Sequence, residues 1–215
     1  MAFSSVIGAS SVIKPGVVTS STRPSAPFVG QLIYDTTVSQ TLAWNGSAWI
    51  AQSGGLVLVK AETAFTASNS IVADAVFTSV YRNYTIKITS VATAGVGLSF
   101  KLRASGVSAS TNYNYQYLSM NGTTVTGGRS SSQTLADAGS VAQQESALTL
   151  NLYNPAVAVA TNFDSITAYV SGAFTSPVSY LYTGNHTTAT AYDGIEMIPS
   201  SGTLTGSYTI YGWSK

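Results

Sequence analysis

Strict alternation of apolar and polar side chains is the feature that most limits how this chain can fold. In Val80 to Ser90 (VYRNYTIKITS), Tyr84, Ile86 and Ile88 alternate with Thr85, Lys87 and Thr89. Gly97 to Ala104 (GLSFKLRA) repeats the pattern, with Leu98, Phe100 and Leu102 inward and Ser99, Lys101 and Arg103 outward. Successive side chains of a strand point to opposite faces, so a period of two marks a half-buried strand. Similar runs are expected at Leu56 to Lys60, within Thr63 to Val72, and at Tyr113 to Met120, Leu148 to Tyr153, Ser165 to Gly172, Val178 to Tyr182, Ile195 to Ile198 and Leu204 to Trp213. Gly, Asn, Ser and Pro punctuate them. About eight short antiparallel strands after residue 56 read as a sandwich, jelly-roll-like in type. Gln133 to Glu145 gives the one helical hint, weakened by Gly139. It falls in a long connection from Asn121 to Ser146 that reads as a partner-facing loop.

The N-terminal part is organised differently. Residues 1–28 read as an extended arm, with small apolar clusters such as Val12-Ile13 and breaks at Pro15-Gly16, Pro24 and Pro27. Such an arm either folds back on its own domain or docks on a neighbour, and docking is the expectation. Residues 29–54 read as a small β-hairpin module with strands at Gln31 to Asp35, Thr41 to Trp44 and Ser47 to Ile50. Asn45-Gly46 is the dipeptide that a type I′ turn prefers. A module this small cannot bury enough apolar surface to stand alone. Gly54-Gly55 reads as a hinge to the sandwich of residues 55–215. The fold class expected is all-β throughout.

Composition excludes several functions. Of 215 residues only 8% are charged, and nine Lys+Arg against eight Asp+Glu leave a net charge of +1. Phosphate binding needs clustered cations, so nucleic acid is not an expected partner. No apolar run is long enough for a membrane-spanning helix, and membrane insertion is not expected. The first residues lack the basic start and long apolar core of a signal peptide. With no cysteine, disulfides and thiolate chemistry are absent. A surface this poor in charge is weakly protected against self-association, which suits a chain covered by copies of itself or by partners.

The segment from Arg23 to Trp49 carries R-P-x-x-P-x-x-G-Q-x-I-Y-D-T…L-x-W-N-G-S-A-W. It resembles a short β module that recurs in bacteriophage tail fibres and other virion proteins. FTSVYRNYTIKI at Phe77 to Ile88, GLSFKLRASG at Gly97 to Gly106 and the closing GTLTGSYTIYGW resemble phage β-sandwich domains. The resemblance implies a non-enzymatic virion structural protein, with the tail favoured over the head. Its best form is a short oligomeric tail fibre, anchored by its N-terminus and contributing to host attachment. It implies a homo-oligomer, a trimer by expectation, in contact with other tail or capsid proteins. A capsid decoration protein (a head fibre) and a fibre polysaccharide depolymerase are the alternatives.

The inventory for chemistry is thin. His186 is the lone histidine, in a loop-like segment, and reads as a surface residue. The acids are scattered; Asp193 and Glu196, three apart, would lie on opposite faces of a strand. No cofactor or metal is expected, and Gly127-Gly128 before Arg129 lacks the context of a phosphate loop. The aromatics say more. Tyr113, Tyr115 and Tyr117 share one strand face, as do Tyr180 and Tyr182. With Arg129, the first three are the candidate contacts for a host surface glycan; core or oligomer interface is the competing and favoured reading. Val12, Ile13, Tyr34, Trp44 and Trp49 are the candidate assembly contacts.

Overall fold

A computed structural model of the chain describes residues 15–52, 55–171 and 176–213. Val12, Ile13 and Gly54 lie outside the described residues. The chain divides into two compact units, Met1–Gly55 and Leu56–Lys215.

Among the described residues the first unit is one four-stranded sheet. Its strands are β1 (Gly16–Val18), β2 (Leu32–Asp35), β3 (Gln40–Trp44) and β4 (Trp49–Ala51), adjacent in that order. Part of the expected arm, Gly16–Val18, is therefore a strand of the module. β1 pairs in parallel with β2, setting Val18 against Asp35. An ionic clasp fixes it. Asp35 is fully buried, and its carboxylate takes hydrogen bonds from Arg23 at 2.6 Å, Ser20 at 3.0 Å and the Thr37 N–H at 2.8 Å. Burial alone would push this carboxyl up; the hydrogen bonds from Arg23, Thr37 and Ser20 and the Arg23 charge outweigh it and bring it below the usual range.

The Asn45-Gly46 turn departs from the expected type I′. Trp44 pairs with Trp49, which leaves four residues in the loop, and only Gly46 of the dipeptide has positive φ, at 103°. The Asn45 side-chain oxygen accepts the Ser47 and Ala48 N–H groups, and this local capping displaces the two-residue turn.

The second unit is an antiparallel β-sandwich. Its strands are β5 (Leu56–Ser68), β6 (Ile71–Ala73), β7 (Asn83–Ala92), β8 (Val96–Ala104), β9 (Val107–Ser108), β10 (Tyr113–Asn121), β11 (Thr124–Gln133), β12 (Ala136–Val141), β13 (Ser146–Tyr153), β14 (Thr161–Ser171), β15 (Ser176–His186), β16 (Gly194–Pro199) and β17 (Leu204–Trp213). The large sheet runs β11-β10-β15-β14-β13-β7-β17-β5. The small sheet runs β12-β8-β16-β6, with β9 also paired to β8. The chain crosses repeatedly from one sheet to the other, as the expected all-β sandwich requires.

The alternating runs form strands with the inner faces foreseen. Ile86, Ile88, Leu98, Phe100 and Leu102 are all buried. Each such side chain contributes about 1.5–3 kcal/mol relative to exposure. Phe100 of the small sheet meets Phe163 of the large one edge to face, with centroids 5.0 Å apart. Tyr84 is buried at the end of the core, and its hydroxyl donates to the Thr78 carbonyl and accepts the Thr78 N–H.

Three expectations are corrected. The run after residue 56 contains more strands than expected, because β5 extends to Ser68 and the supposed loop from Asn121 to Ser146 is largely β11 and β12. The helical hint within it is also strand. Ala136, Ala138 and Val141 are buried against the large sheet, and at Gly139 a Cβ would lie 1.7 Å from Thr167 Oγ1. Close packing of small residues overrides their helical propensity. His186 is not a surface residue but the buried end of β15, its ring 4.3 Å from that of Tyr113 and 5.3 Å from that of Tyr192. Burial lowers its pKa, with a smaller opposing effect from the backbone of Thr188 and Thr111.

Candidate interaction surface

Strand register decides which candidate residues can meet a partner. On β10 and β15 the two tyrosine runs share the inner face of the large sheet. Tyr113 pairs with His186, Tyr115 with Gly184 and Tyr117 with Tyr182. Tyr117 and Tyr182 stack at 5.3 Å and Tyr180 and Tyr182 at 6.1 Å. Tyr113 has no exposed surface, and its hydroxyl oxygen accepts the Leu102 N–H at 2.8 Å. Tyr115 is buried, donates to Asp137 at 2.8 Å, and is pushed up by its burial, with Asp137 adding to the rise. Neither ring is placed to stack on a sugar. Tyr117 is half-buried at the end of the core, and Gly128 opposite it leaves room for its ring: a Cβ there would lie 2.7 Å from the ring edge.

Arg129 is the one candidate receptor contact that is exposed, on the opposite face. Three rows of side chains cross that outer face in register. Arg129, Gln116, Thr183 and Asp164 form the first; Gly127, Leu118, Leu181 and Ile166 the second; Val125, Met120, Ser179 and Ala168 the third. Each row takes one residue from β11, β10, β15 and β14 in turn. The first row floors a polar groove of about 420 Å³ whose walls include Asn114, Asn162 and Tyr153. The Asp164 carboxylate accepts the Tyr153 hydroxyl on one oxygen and the Asn151 amide on the other. Beyond it Thr85 donates to Asn151, and the Trp213 indole donates to Thr85.

The second and third rows are apolar except for Ser179. Leu118, Leu181, Ile166, Met120 and Val125 are all exposed, Ile166 at 51% and Val125 at 65%. A hollow of about 470 Å³ is lined by Gly127, Gly128, Leu118 and Leu181. Contiguous exposed apolar side chains on adjacent strands mark a contact surface. Sequence reasoning missed this face because each residue comes from a separate strand.

The first unit has its own exposed face. Val17, Leu32, Tyr34 and Ile50 are exposed, whereas Ile33 and Leu42 are buried. Trp44 and Trp49 pack on each other at 5.5 Å and are half-buried. They pair on the Leu42 side of the sheet, so the tryptophans and Tyr34 do not form one patch.

Acidic residues elsewhere serve the fold. Arg103 binds Asp74 through two nitrogens, Ser108 and the Gly106 carbonyl, with Glu196 3.9 Å away. The Arg103 hydrogen bond lowers the Asp74 carboxyl. Asp193 precedes β16 and accepts the Ser105 N–H, so strand alternation does not govern its relation to Glu196. Among the described residues no group of three His, Asp or Glu side chains is placed to hold a metal ion. No protein-family model, no curated protein and no solved structure matches the chain. The outer face of the large sheet thus presents, among the described residues, exposed apolar area, the Arg129 cation and a carboxylate with spare lone pairs.

Proposed function

We propose that this chain is a non-enzymatic structural protein of a bacteriophage virion, a short tail-fibre-like appendage held through its N-terminal unit and contributing to host attachment. One observation carries the reading. The N-terminal unit turns Val17, Leu32, Tyr34 and Ile50 to solvent while burying few apolar side chains, among the described residues Ile33 and Leu42. A sheet of this size gains little from so small a core, and an exposed apolar face of this kind suits a unit completed by neighbouring proteins. The resemblance of Arg23 to Trp49 to a phage fibre module supports the kind of particle, and the low charge supports a crowded assembly. Adhesion would come from many weak copies whose avidity supplies the affinity.

The test is to tag the chain, locate it on purified particles, and repeat with Val17→Asp and Ile50→Lys. Label at the tail is expected, with both variants lost from particles while the isolated sandwich signal stays folded. Label on the capsid shell would instead favour decoration of the head. Particles that carry none of the chain would refute the reading.

A further inference from the structure

We propose that two copies of this chain pair through the outer face of β11, β10, β15 and β14, about a two-fold axis that runs along the strands between β10 and β15. This goes beyond the virion reading and does not depend on it. Such an axis reverses the lateral order of the four strands, so the first meets the fourth of the other copy and the second meets the third. Strands stay aligned, as in the common class of sheet-on-sheet packing.

Each of the three rows is complementary to its own reverse. In the first row, Arg129 of one copy meets Asp164 of the other, and the same pair forms again on the far side of the axis. Among the described residues the ion pairs are Arg23–Asp35, Arg103–Asp74 and Arg103–Glu196, so neither Arg129 nor Asp164 has an opposite charge within reach in its own chain. Asp164 accepts one hydrogen bond on each oxygen, and a carboxylate has lone pairs for a bidentate guanidinium as well. In the second row Ile166 meets Gly127 of the other copy, where the apolar hollow lies, and Leu118 meets Leu181. In the third row large faces small: Val125 meets Ala168, and Met120 meets Ser179. An isologous contact requires this self-complementarity.

Size and charge agree with the occupant being a second copy. Four strands along the length of β10 span roughly 19 Å by 30 Å, which amounts to about 1,100 Å² over both copies, the low end for a specific interface. Lys87, the next cation of this face, is aligned with Thr149 on β13 and Thr209 on β17, outside the four-strand footprint. No other charged side chain would be desolvated within the second and third rows.

The experiment measures mass by light scattering across a dilution series of the purified full chain. A dimer is expected at high concentration that dissociates on dilution. Leu181→Lys, at an exposed position, should give a monomer with an unchanged melting temperature. Arg129→Glu and Asp164→Arg should each weaken pairing by roughly tenfold or more, since like charges then face each other twice. Mixed together, these two variants should form a heterodimer, because each supplies the charge the other lacks. A monomer at every concentration, a trimer, a dimer indifferent to Leu181→Lys, or a mixture that stays monomeric while Arg129→Glu alone still pairs would each overturn the proposal.

Discussion

Replacing Tyr113 by Phe tests whether the tyrosine row belongs to the core or to a receptor site. β12 pairs with β8 only as far as Ala136 opposite Phe100, and on the same edge the Ala109 N–H donates to the Leu102 carbonyl beyond the end of β9. The Leu102 N–H falls in the gap and donates to the Tyr113 hydroxyl at 2.8 Å. Tyr113→Phe keeps the ring against Phe100 and His186 and removes that acceptor, together with the longer hydrogen bond, 3.4 Å, that the hydroxyl donates to the Ala109 carbonyl. A buried N–H left without a partner costs about 1–3 kcal/mol. For a unit of this size each kcal/mol moves the midpoint by about 2–4 °C, so the melting temperature should fall by about 2–12 °C. Thermal melts and urea titrations with an unchanged slope measure it, and hydrogen exchange at the Leu102 amide should quicken. Tyr117→Phe, at the half-buried end of the row, should stay within about 0.5 kcal/mol. If Tyr113→Phe melts with the wild type, the hydroxyl does not close the ladder and the argument fails.

Gly139→Ala would place a methyl 1.7 Å from Thr167 Oγ1 and 3.0 Å from Leu148 Cδ1, and should cost about 1–3 kcal/mol by overpacking; adding Thr167→Ala should recover part of the loss in a double-variant cycle. The Asp35 carboxyl is lowered in the folded state, so its contribution is complete above the ordinary carboxylate pKa of about 4 and disappears as pH falls through the lower folded value. Acid, or Asp35→Asn at neutral pH, should therefore release β1, read as faster exchange of the Thr36 amide that donates to Val18. The His186 imidazole is lowered by burial, so it favours the folded state fully above its ordinary value of about 6.5 and progressively less below it. The melting temperature should drop between about pH 7 and about pH 5, and His186→Phe should flatten that slope; equal slopes in both proteins would refute the assignment.

Much of the sandwich was legible in the chain because a period of two needs no tertiary information. Val80 to Ser90 and Gly97 to Ala104 could bury one face only as strands, and they became β7 and β8 with Ile86, Ile88, Leu98, Phe100 and Leu102 inward. Asn121 to Ser146 reads as a loop because Gly, Ser and Thr carry little hydrophobic pattern. The available signal was Gly122-Thr123, the two residues between Asn121 and its partner Thr124, which lead from β10 straight into β11 with Gly122 at positive φ. The helical hint at Gln133 to Glu145 failed because the small side chains of Ala136, Ala138 and Gly139 serve close approach of two sheets rather than a helix.

Local pattern alone established the class of fold and the shared face of Tyr113, Tyr115 and Tyr117. Alternation along a strand states which residues share a face, but not which face is covered. Only the pairing of distant strands decided that the tyrosines turn inward, that His186 is buried beside Tyr113, and that Arg129, Ile166 and Asp164 stand on one outer surface. Lateral register between strands far apart in sequence is a long-range property, and no window of the chain contains it.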